Sequence, residues 1–317
     1  MHGQPLMWRV LVTGAAGFIG SWTVEELLKE GYYVIGVDDL SDGSISRLSN
    51  VLGNNRFTFI NTNICDEEVM MKLCKDVDAI IHLAAKVSVE EAFLKPKLAF
   101  KVNVEGTLVL LEVARKRDIK RFVYASSVAV YGEPRKLPIS EDHIIDPINV
   151  YGATKAAAEA LVHSYQGNYG LSTIALRYFN VYGPRMKGGY YAGVIARFIE
   201  RVFNDEPPII YGDGRQTRDF VYVKDVVRAN ITALRSTKTG PFNIGTGIQT
   251  SINDLCSIIL KMFNKLHLKP VYQRPRPGDI RYSQADITKA VNELKWKPKY
   301  TLELGLRETI DYYRSIR

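Results

Sequence analysis

The sequence predicts an α/β protein: a doubly wound parallel sheet with a smaller, interleaved α/β lobe at its C-terminal end. Three observations lead there. Apolar strand-like runs alternate with helix-period stretches over the first two-thirds of the chain, the pattern of a parallel sheet covered on both faces. The first run empties into a turn with glycines at 14, 17 and 20. After residue 184 the alternation gives way to irregular, basic segments rich in Pro and Gly.

Taken in order, "RVLVTG" (9–14), "YVIGVDD" (33–39), "FTFINTNI" (57–64), "AIIHLAA" (79–85), "RFVYASS" (121–127) and "STIALRYFN" (172–180) are short and rich in Val, Ile and aromatics. Each reads as a buried strand. Residues 19–30 and 98–117 carry the 3.6-residue period of helices. "GPRMKGGYYAG" and "PRPGDIRYSQ" break the rhythm, and "GPFNIGTG" (240–247) reads as one more strand returning to the sheet. The expected division is a first domain over 1–184, with 218–250 returning to it, and a second lobe from 185–217 and 251–317.

At 317 residues, 46% hydrophobic and 24% charged, the chain has a soluble globular composition with room for two lobes. No apolar run reaches the roughly 20 residues of a membrane span, so no membrane partner is expected. The N-terminus lacks the basic, apolar and small-residue series of a secretion signal. Cys65, Cys74 and Cys256 are three thiols without metal-ligand spacing, which suits a reducing, cytoplasmic setting. The five histidines form no close-spaced cluster, and no metal is expected. Lys and Arg give a net charge of +8 but are spread along the chain rather than massed among aromatics. That favours anion-binding arginines in a cleft over a nucleic-acid partner.

"VLVTGAAGFIG" sets Gly14, Gly17 and Gly20 straight after the first strand and at the opening of a helix. Glycines permit a tight turn and close backbone approach, and a helix N-terminus offers N–H groups and positive dipole to a pyrophosphate. This is the logic of a Rossmann sheet. The second strand ends in Asp38 and Asp39. A carboxylate there accepts from both ribose hydroxyls and repels a 2′-phosphate, favouring NAD over NADP. An acid capping the turn before "LSDGS" is the competing reading. Asn63, closing the third strand, is placed to meet an adenine edge.

The stretch "NVYGATKAAAEALVHSY" (149–165) seats a phenol, Tyr151, and an ammonium, Lys155, four residues apart and so on one helix face. With "TGAAGFIG", "HLAA" (82–85), "NVEGT" (103–107), "SSVAVYG" (126–132), "RYFNVYGP" (177–184) and "RDFVYV" (218–223), it resembles the extended short-chain dehydrogenase/reductases. Within these it is most similar to the UDP-galactose 4-epimerase type of NAD-dependent epimerase/dehydratase. The likeness runs from about Val10 to about Pro298. Y-x-x-x-K alone is a weak pattern; the ordered series is specific.

The resemblance implies a role for each matched position. Ser127, Tyr151 and Lys155 form the catalytic group. Lys155 and a positive nicotinamide draw the Tyr151 phenol from a pKa of about 10 to about 7, a differential stabilisation of roughly 4 kcal/mol. Tyr151 then takes the proton of a sugar hydroxyl as hydride leaves the same carbon for NAD, with Ser127 relaying the proton. The resemblance places NAD against Gly14, Gly17, Phe18, Ile19, Asp38, Asp39, Asn63, Ile64, Leu83, Ala84, Ala85, Asn103 and Tyr178, beside Tyr151 and Lys155. It places a UDP-sugar in the second lobe, against Ser127, Asn180, Val194, Tyr211, Arg218, Arg276, Asp279 and Ser283. Arg218 and Arg276 would meet the diphosphate through bidentate donors, Asp279 a ribose hydroxyl, and Tyr211 the uracil face.

Related 4,6-dehydratases carry an Asp-Glu pair directly before V-Y-G, and related decarboxylases keep the Glu; here those positions are Val128 and Ala129. The expected reaction is therefore epimerisation at carbon 4, on UDP-glucose and UDP-galactose. Ser283 stands at the family's gatekeeper position, where a small residue admits an N-acetyl group, adding UDP-GlcNAc and UDP-GalNAc. A UDP-glucuronate or UDP-pentose 4-epimerase would use the same Tyr, Lys and Ser, with Arg185, Lys187 or Lys86 as cations near carbon 6. A non-catalytic NAD-sensing regulator on this fold usually lacks the Tyr or the Lys. Apolar faces on helices at about 89–117 and 152–169 predict a homodimer through a four-helix bundle, as in relatives.

Overall fold

The computed structural model describes residues 8–186, 193–275 and 278–316. β1 (Arg9–Thr13) leads into α1 (Phe18–Lys29), β2 (Tyr33–Asp38), β3 (Phe57–Asn61), α2 (Glu67–Leu73) and β4 (Ala79–His82). A broken helical segment follows: α3 (Val89–Leu94), α4 (Pro96–Phe100), a π turn (Lys101–Glu105) and α5 (Gly106–Lys116). Next come β5 (Arg121–Ser127), α6 (Val150–Tyr169), β6 (Thr173–Tyr178), β7 (Asn180–Tyr182), α7 (Val194–Phe203) and β8 (Ile209–Tyr211). The chain closes with β9 (Thr217–Arg218), β10 (Phe220–Tyr222), α8 (Val223–Arg235), β11 (Gly240–Ile244), β12 (Thr250–Ser251), α9 (Ile252–Met262), β13 (Val271–Gln273), α10 (Thr288–Glu293) and α11 (Leu302–Ser315).

Seven of the strands form one parallel sheet in the order β11-β6-β5-β4-β1-β2-β3. Side-chain parity divides its core. Val10, Val12, Ile81 and Val123 face one apolar layer; Leu11, Ile80, Phe122 and Tyr124 face the other. Because both faces are covered, the strands are mostly apolar, and β5 is buried at every residue, Arg121, Ser126 and Ser127 included. The order reverses between β1 and β4, so the crevice beyond their carboxyl ends is where a doubly wound sheet receives a ligand.

The structure differs from the sequence reading at strand and helix ends. The fourth strand stops at His82 rather than Ala85, because the Leu83 and Ala84 N–H groups both turn onto Thr13 Oγ1 at 3.2 Å. The run 172–180 breaks at Phe179, whose N–H donates to Ile244 O; β7 then leaves the sheet and pairs with β10. The helix expected over 98–117 is interrupted by the π turn, a local rearrangement common beside functional sites. β11 returns to pair with β6, as "GPFNIG" suggested.

Asp219 welds the returning segment to the rest. Fully buried, its carboxylate accepts from Thr246 N–H and Oγ1, Gly247 N–H and Ala285 N–H, at 2.6 to 3.0 Å. Three stretches far apart in sequence converge on one side chain.

A buried imidazole ties β4 to its neighbours in the same manner. His82 Nδ1 lies 2.8 Å from Thr13 Oγ1 and Nε2 lies 2.9 Å from Thr107 Oγ1, so the network is complete with a neutral ring. Burial, with Lys155 nearby, lowers its pKa to about 3. Below the ordinary value of about 6.5 the unfolded chain takes up a proton that the folded one refuses, so stability should fall as pH falls from there to about 3. The loss attributable to this ring should approach ~1.4 kcal/mol per pH unit. Urea unfolding of the parent and of His82→Gln at several pH values should show the steeper acid slope in the parent alone; identical slopes would mean that the folded ring takes up the proton.

Candidate active site

Asn149 starts α6 by accepting the Gly152 N–H on Oδ1 at 2.8 Å, which puts Tyr151 in the first turn and Lys155 one turn on. A Cβ on Gly152 would lie 2.4 Å from Ala129 O. Glycine therefore permits this turn to press against the end of β5, and Tyr151 meets Ser127 there. The Ser127 hydroxyl bonds to the Tyr151 phenol and favours its ionised form, while burial acts more strongly and raises the phenol above its ordinary value. Burial lowers Lys155 to about 7 against the opposing pull of Glu159. Its Nζ sits 4.7 Å from the centroid of the Tyr124 ring. Among the protein's own groups burial outweighs the Ser127 bond at the phenol; the expectation that Lys155 and a positive nicotinamide together favour the phenolate includes a charge that enters only with NAD. A further cation at the ring would have to supply the difference.

The dinucleotide side is a cradle with the right donors. Gly14 has φ +68° and a Cβ there would stand 2.8 Å from Ala84 N, so the turn packs directly on the Leu83 and Ala84 main chain, which Ala85 follows. α1 opens at Gly17 with no side-chain cap, leaving the N–H groups around Phe18 and Ile19 and the helix dipole for an anion. Asp38 accepts from Ala16 N–H at 3.0 Å and Leu40 N–H at 2.8 Å, keeping one lone pair free on each oxygen; burial raises its pKa. Asp39 accepts from Asn63 Nδ2 at 3.0 Å, and the Asn63 Oδ1 takes the Cys65 N–H, so that amide orients the acid. Ile64 is buried beside them. These residues fit NAD, which when bound supplies the acceptor for a hydride. Two others have prior commitments. Tyr178 is buried with its hydroxyl on Asn230, and Asn103 spends its amide on Lys86 and Thr154.

Among the residues expected to meet a sugar nucleotide, Arg218 and Asp279 form an ion pair with each other, 61 residues apart in sequence. Burial lowers the Arg218 pKa, with Asp279 opposing. Ser283 is fully buried, its N–H 3.4 Å from Thr217 Oγ1 and its Oγ without a partner. Tyr211 ends β8 under the Arg197 guanidinium, 5.6 Å from its ring centroid. Val194 opens α7, and Asn180 opens β7 with a buried, unpartnered Oδ1. Arg276 lies outside the described residues.

The sequence reading passed over several contributors. Gln216 donates from Nε2 to Tyr211 O at 2.7 Å and buries an unpartnered Oε1 in the same region. Thr154 links α6 to Asn103, and Glu159 takes a bidentate grip from Arg177 together with the Ser126 hydroxyl. Gln216, inside "GRQTRDF", and Glu159, one turn past Lys155, were visible as positions; nothing in the sequence shows their partners.

Sheet order, glycine turn and the Ser127–Tyr151–Lys155 group together define a dinucleotide-dependent enzyme of the extended short-chain dehydrogenase/reductase class. The family profile described as GDP-mannose 4,6 dehydratase matches residues 11–309. The UDP-glucose 4-epimerase of Thermotoga maritima, solved with UDP-glucose, is 42% identical, with a TM-score of 0.93 over 97% of this chain and 99% of that one. The UDP-N-acetylglucosamine 4-epimerase of Methanobrevibacter ruminantium M1, in complex with UDP-N-acetylmuramic acid, is 38% identical, with a TM-score of 0.94 over 98% and 99%. The UDP-glucuronic acid 4-epimerase of Bacillus cereus, in complex with UDP-glucuronic acid and NAD, is 34% identical, with a TM-score of 0.90 over 98% and 100%. This chain belongs to the NAD-dependent epimerase/dehydratase family, and its coenzyme is NAD.

Tyr151→Phe should fold and keep NAD but lose more than about nine-tenths of turnover, a barrier rise above roughly 1.4 kcal/mol. Steady-state kinetics beside coenzyme content checks this; retained turnover would remove Tyr151 from the base role.

Proposed function

We propose that the protein is a UDP-sugar 4-epimerase interconverting UDP-glucose with UDP-galactose and UDP-GlcNAc with UDP-GalNAc through a 4-keto sugar. The observation that carries this reading is the wall beside the Ser127–Tyr151 pair. Val128 and Ala129 follow Ser127 in a 3₁₀ turn, and elimination across carbons 5 and 6 would need an acid and a base there. Glu159 is no substitute, held as it is by Arg177 and Ser126. With elimination closed, oxidation at carbon 4 leads to return of the hydride on the opposite face.

In this reading Tyr151 removes the proton of the carbon-4 hydroxyl, Ser127 holds that oxygen, and Lys155 in its charged form favours the phenolate. The grip on the nucleotide comes from residues 185–217 and 251–317, with Arg218 and Asp279 as its charged elements. Both residues then exchange their mutual pair for the diphosphate and a ribose hydroxyl. Ser283 presents a small side chain, which supports a pocket open to an N-acetyl group.

The uronate reading has a relative in its favour, the Bacillus cereus enzyme solved with UDP-glucuronic acid. The described cations speak against it. Arg185 pairs with Glu25 at 2.6 Å and lies 4.1 Å over the Trp22 ring, and Lys86 pairs with Asp42 at 2.5 Å. Lys187 lies outside the described residues. A panel of UDP-sugars incubated without added NAD and resolved by chromatography decides: hexose and N-acetylhexosamine interconversion supports the proposal, and conversion of UDP-glucuronate alone overturns it.

Phe93, Leu94, Leu98, Phe100 and Leu108 expose an apolar face along α3–α5, Phe93 at 75%. This supports a homodimer in which α5 and α6 of two copies pack as four helices. Sedimentation at micromolar concentration should show a dimer, and Phe93→Asp with Leu98→Asp should shift it to monomer; a monomeric parent would refute the pairing.

Ser283→Tyr should cost UDP-GlcNAc about 1–3 kcal/mol by overpacking, roughly a ten- to hundredfold fall in kcat/KM, with a much smaller fall for UDP-glucose. Equal losses on the two substrates would show that another residue closes the pocket.

A further inference from the structure

Lys86 is a buried cation that the proposed chemistry does not use; its side chain is 10% exposed. Asn103 holds its main chain at both ends, accepting the Lys86 N–H at 2.7 Å and donating to Lys86 O at 3.0 Å. From that fixed root, Nζ reaches the loop after β2, 3.0 Å from Ser41 Oγ and 2.5 Å from the Asp42 carboxylate. Lys86 follows β4, whereas Ser41 and Asp42 follow β2, and these strands are not neighbours: β1 lies between them. Two strand spacings are about 10 Å. The side chain therefore passes over the end of β1, where the glycine turn begins. The loop it reaches is pinned to that turn, Ser44 N–H donating to Ala16 O at 2.9 Å and Ala16 N–H to Asp38 at 3.0 Å.

We propose that the bridge from Lys86 to Asp42 and Ser41 is a clasp across the dinucleotide groove, and that NAD leaves only when it opens. The groove floor is the turn at Gly14–Gly17, and its walls are the loops after β4 and β2. The clasp joins wall to wall. Because Lys86 is buried and its main chain fixed, the ion pair loses less to solvent screening than an exposed pair would. The inference rests on NAD as coenzyme and is independent of which sugar is turned over.

The test is exchange of bound NAD for isotopically labelled NAD in purified protein, followed by rapid filtration, without any sugar nucleotide. Asp42→Asn and Lys86→Met should each speed exchange about tenfold or more, and the double variant should be no faster than the faster single. Reversing the pair, Lys86→Asp with Asp42→Lys, should slow exchange again relative to the singles. Higher salt should speed exchange in the parent and have little effect in Asp42→Asn. Should Lys86→Met not fold, Asp42→Asn, on the more exposed side of the pair, carries the test by itself. Parental exchange in Asp42→Asn overturns the clasp, and fast exchange in Lys86→Met alone would mean that Lys86 holds the coenzyme directly.

Discussion

The site depends on how closely the first turn of α6 approaches the end of β5. Gly152 against Ala129 O sets that distance, and no residue with a Cβ fits there without displacing one element from the other. The approach brings Tyr151 to Ser127 and carries Lys155 into the sheet's interior beneath Tyr124. The burial that results raises the phenol and lowers the ammonium, so the two groups are least ionised when the protein acts on them alone. Their reactivity is thereby made conditional on what binds next to them.

The same economy runs through the other buried polar groups, nearly all of which hold segments distant in sequence. His82 joins β1, β4 and α5 through two threonines. Glu159 and Arg177 join α6 to β6, with Ser126 and Tyr131 closing the network. Burying charge is costly unless it is paired and hydrogen-bonded, and each of these groups meets that condition. The buried atoms Asn180 Oδ1, Gln216 Oε1 and Ser283 Oγ, at positions the resemblance assigns to the sugar nucleotide or beside them, have no protein partner among the described residues.

Much of this was legible in the sequence, and the illegible parts share a cause. Strand β5 was readable end to end, because a strand buried on both faces carries a central run of apolar and aromatic residues. The glycine turn and Asp38 were readable because backbone geometry and a carboxylate acceptor at a strand end demand particular residue types. The break at Phe179 was not, since apolar residues continue across it and only the pairing partners change. The π turn within 98–117 hides for a similar reason: one extra residue per turn leaves the apolar spacing nearly intact. Arg218–Asp279 and Lys86–Asp42 are pairs across long stretches of chain, and a single sequence does not disclose them. Sequence spacing shows that Tyr151 and Lys155 share a helix face and conceals the depth at which both groups sit.

The junction at Asp219 has a mechanical consequence. Its carboxylate is shared by the strand entering β10, the loop after β11 and the segment at Ala285, so three crossings of the chain meet at one rigid node. A segment attached through a single linker swings open like a door; the one at Ala285 cannot do so without losing at once its N–H bond to Asp219 and the bonds that join Gln284 and Asp286 to Ile139. Small sliding of packed surfaces would leave those bonds in place. The chain at 284–286 is then a fixed point against the sheet, its register set by hydrogen bonds rather than by the length of a linker.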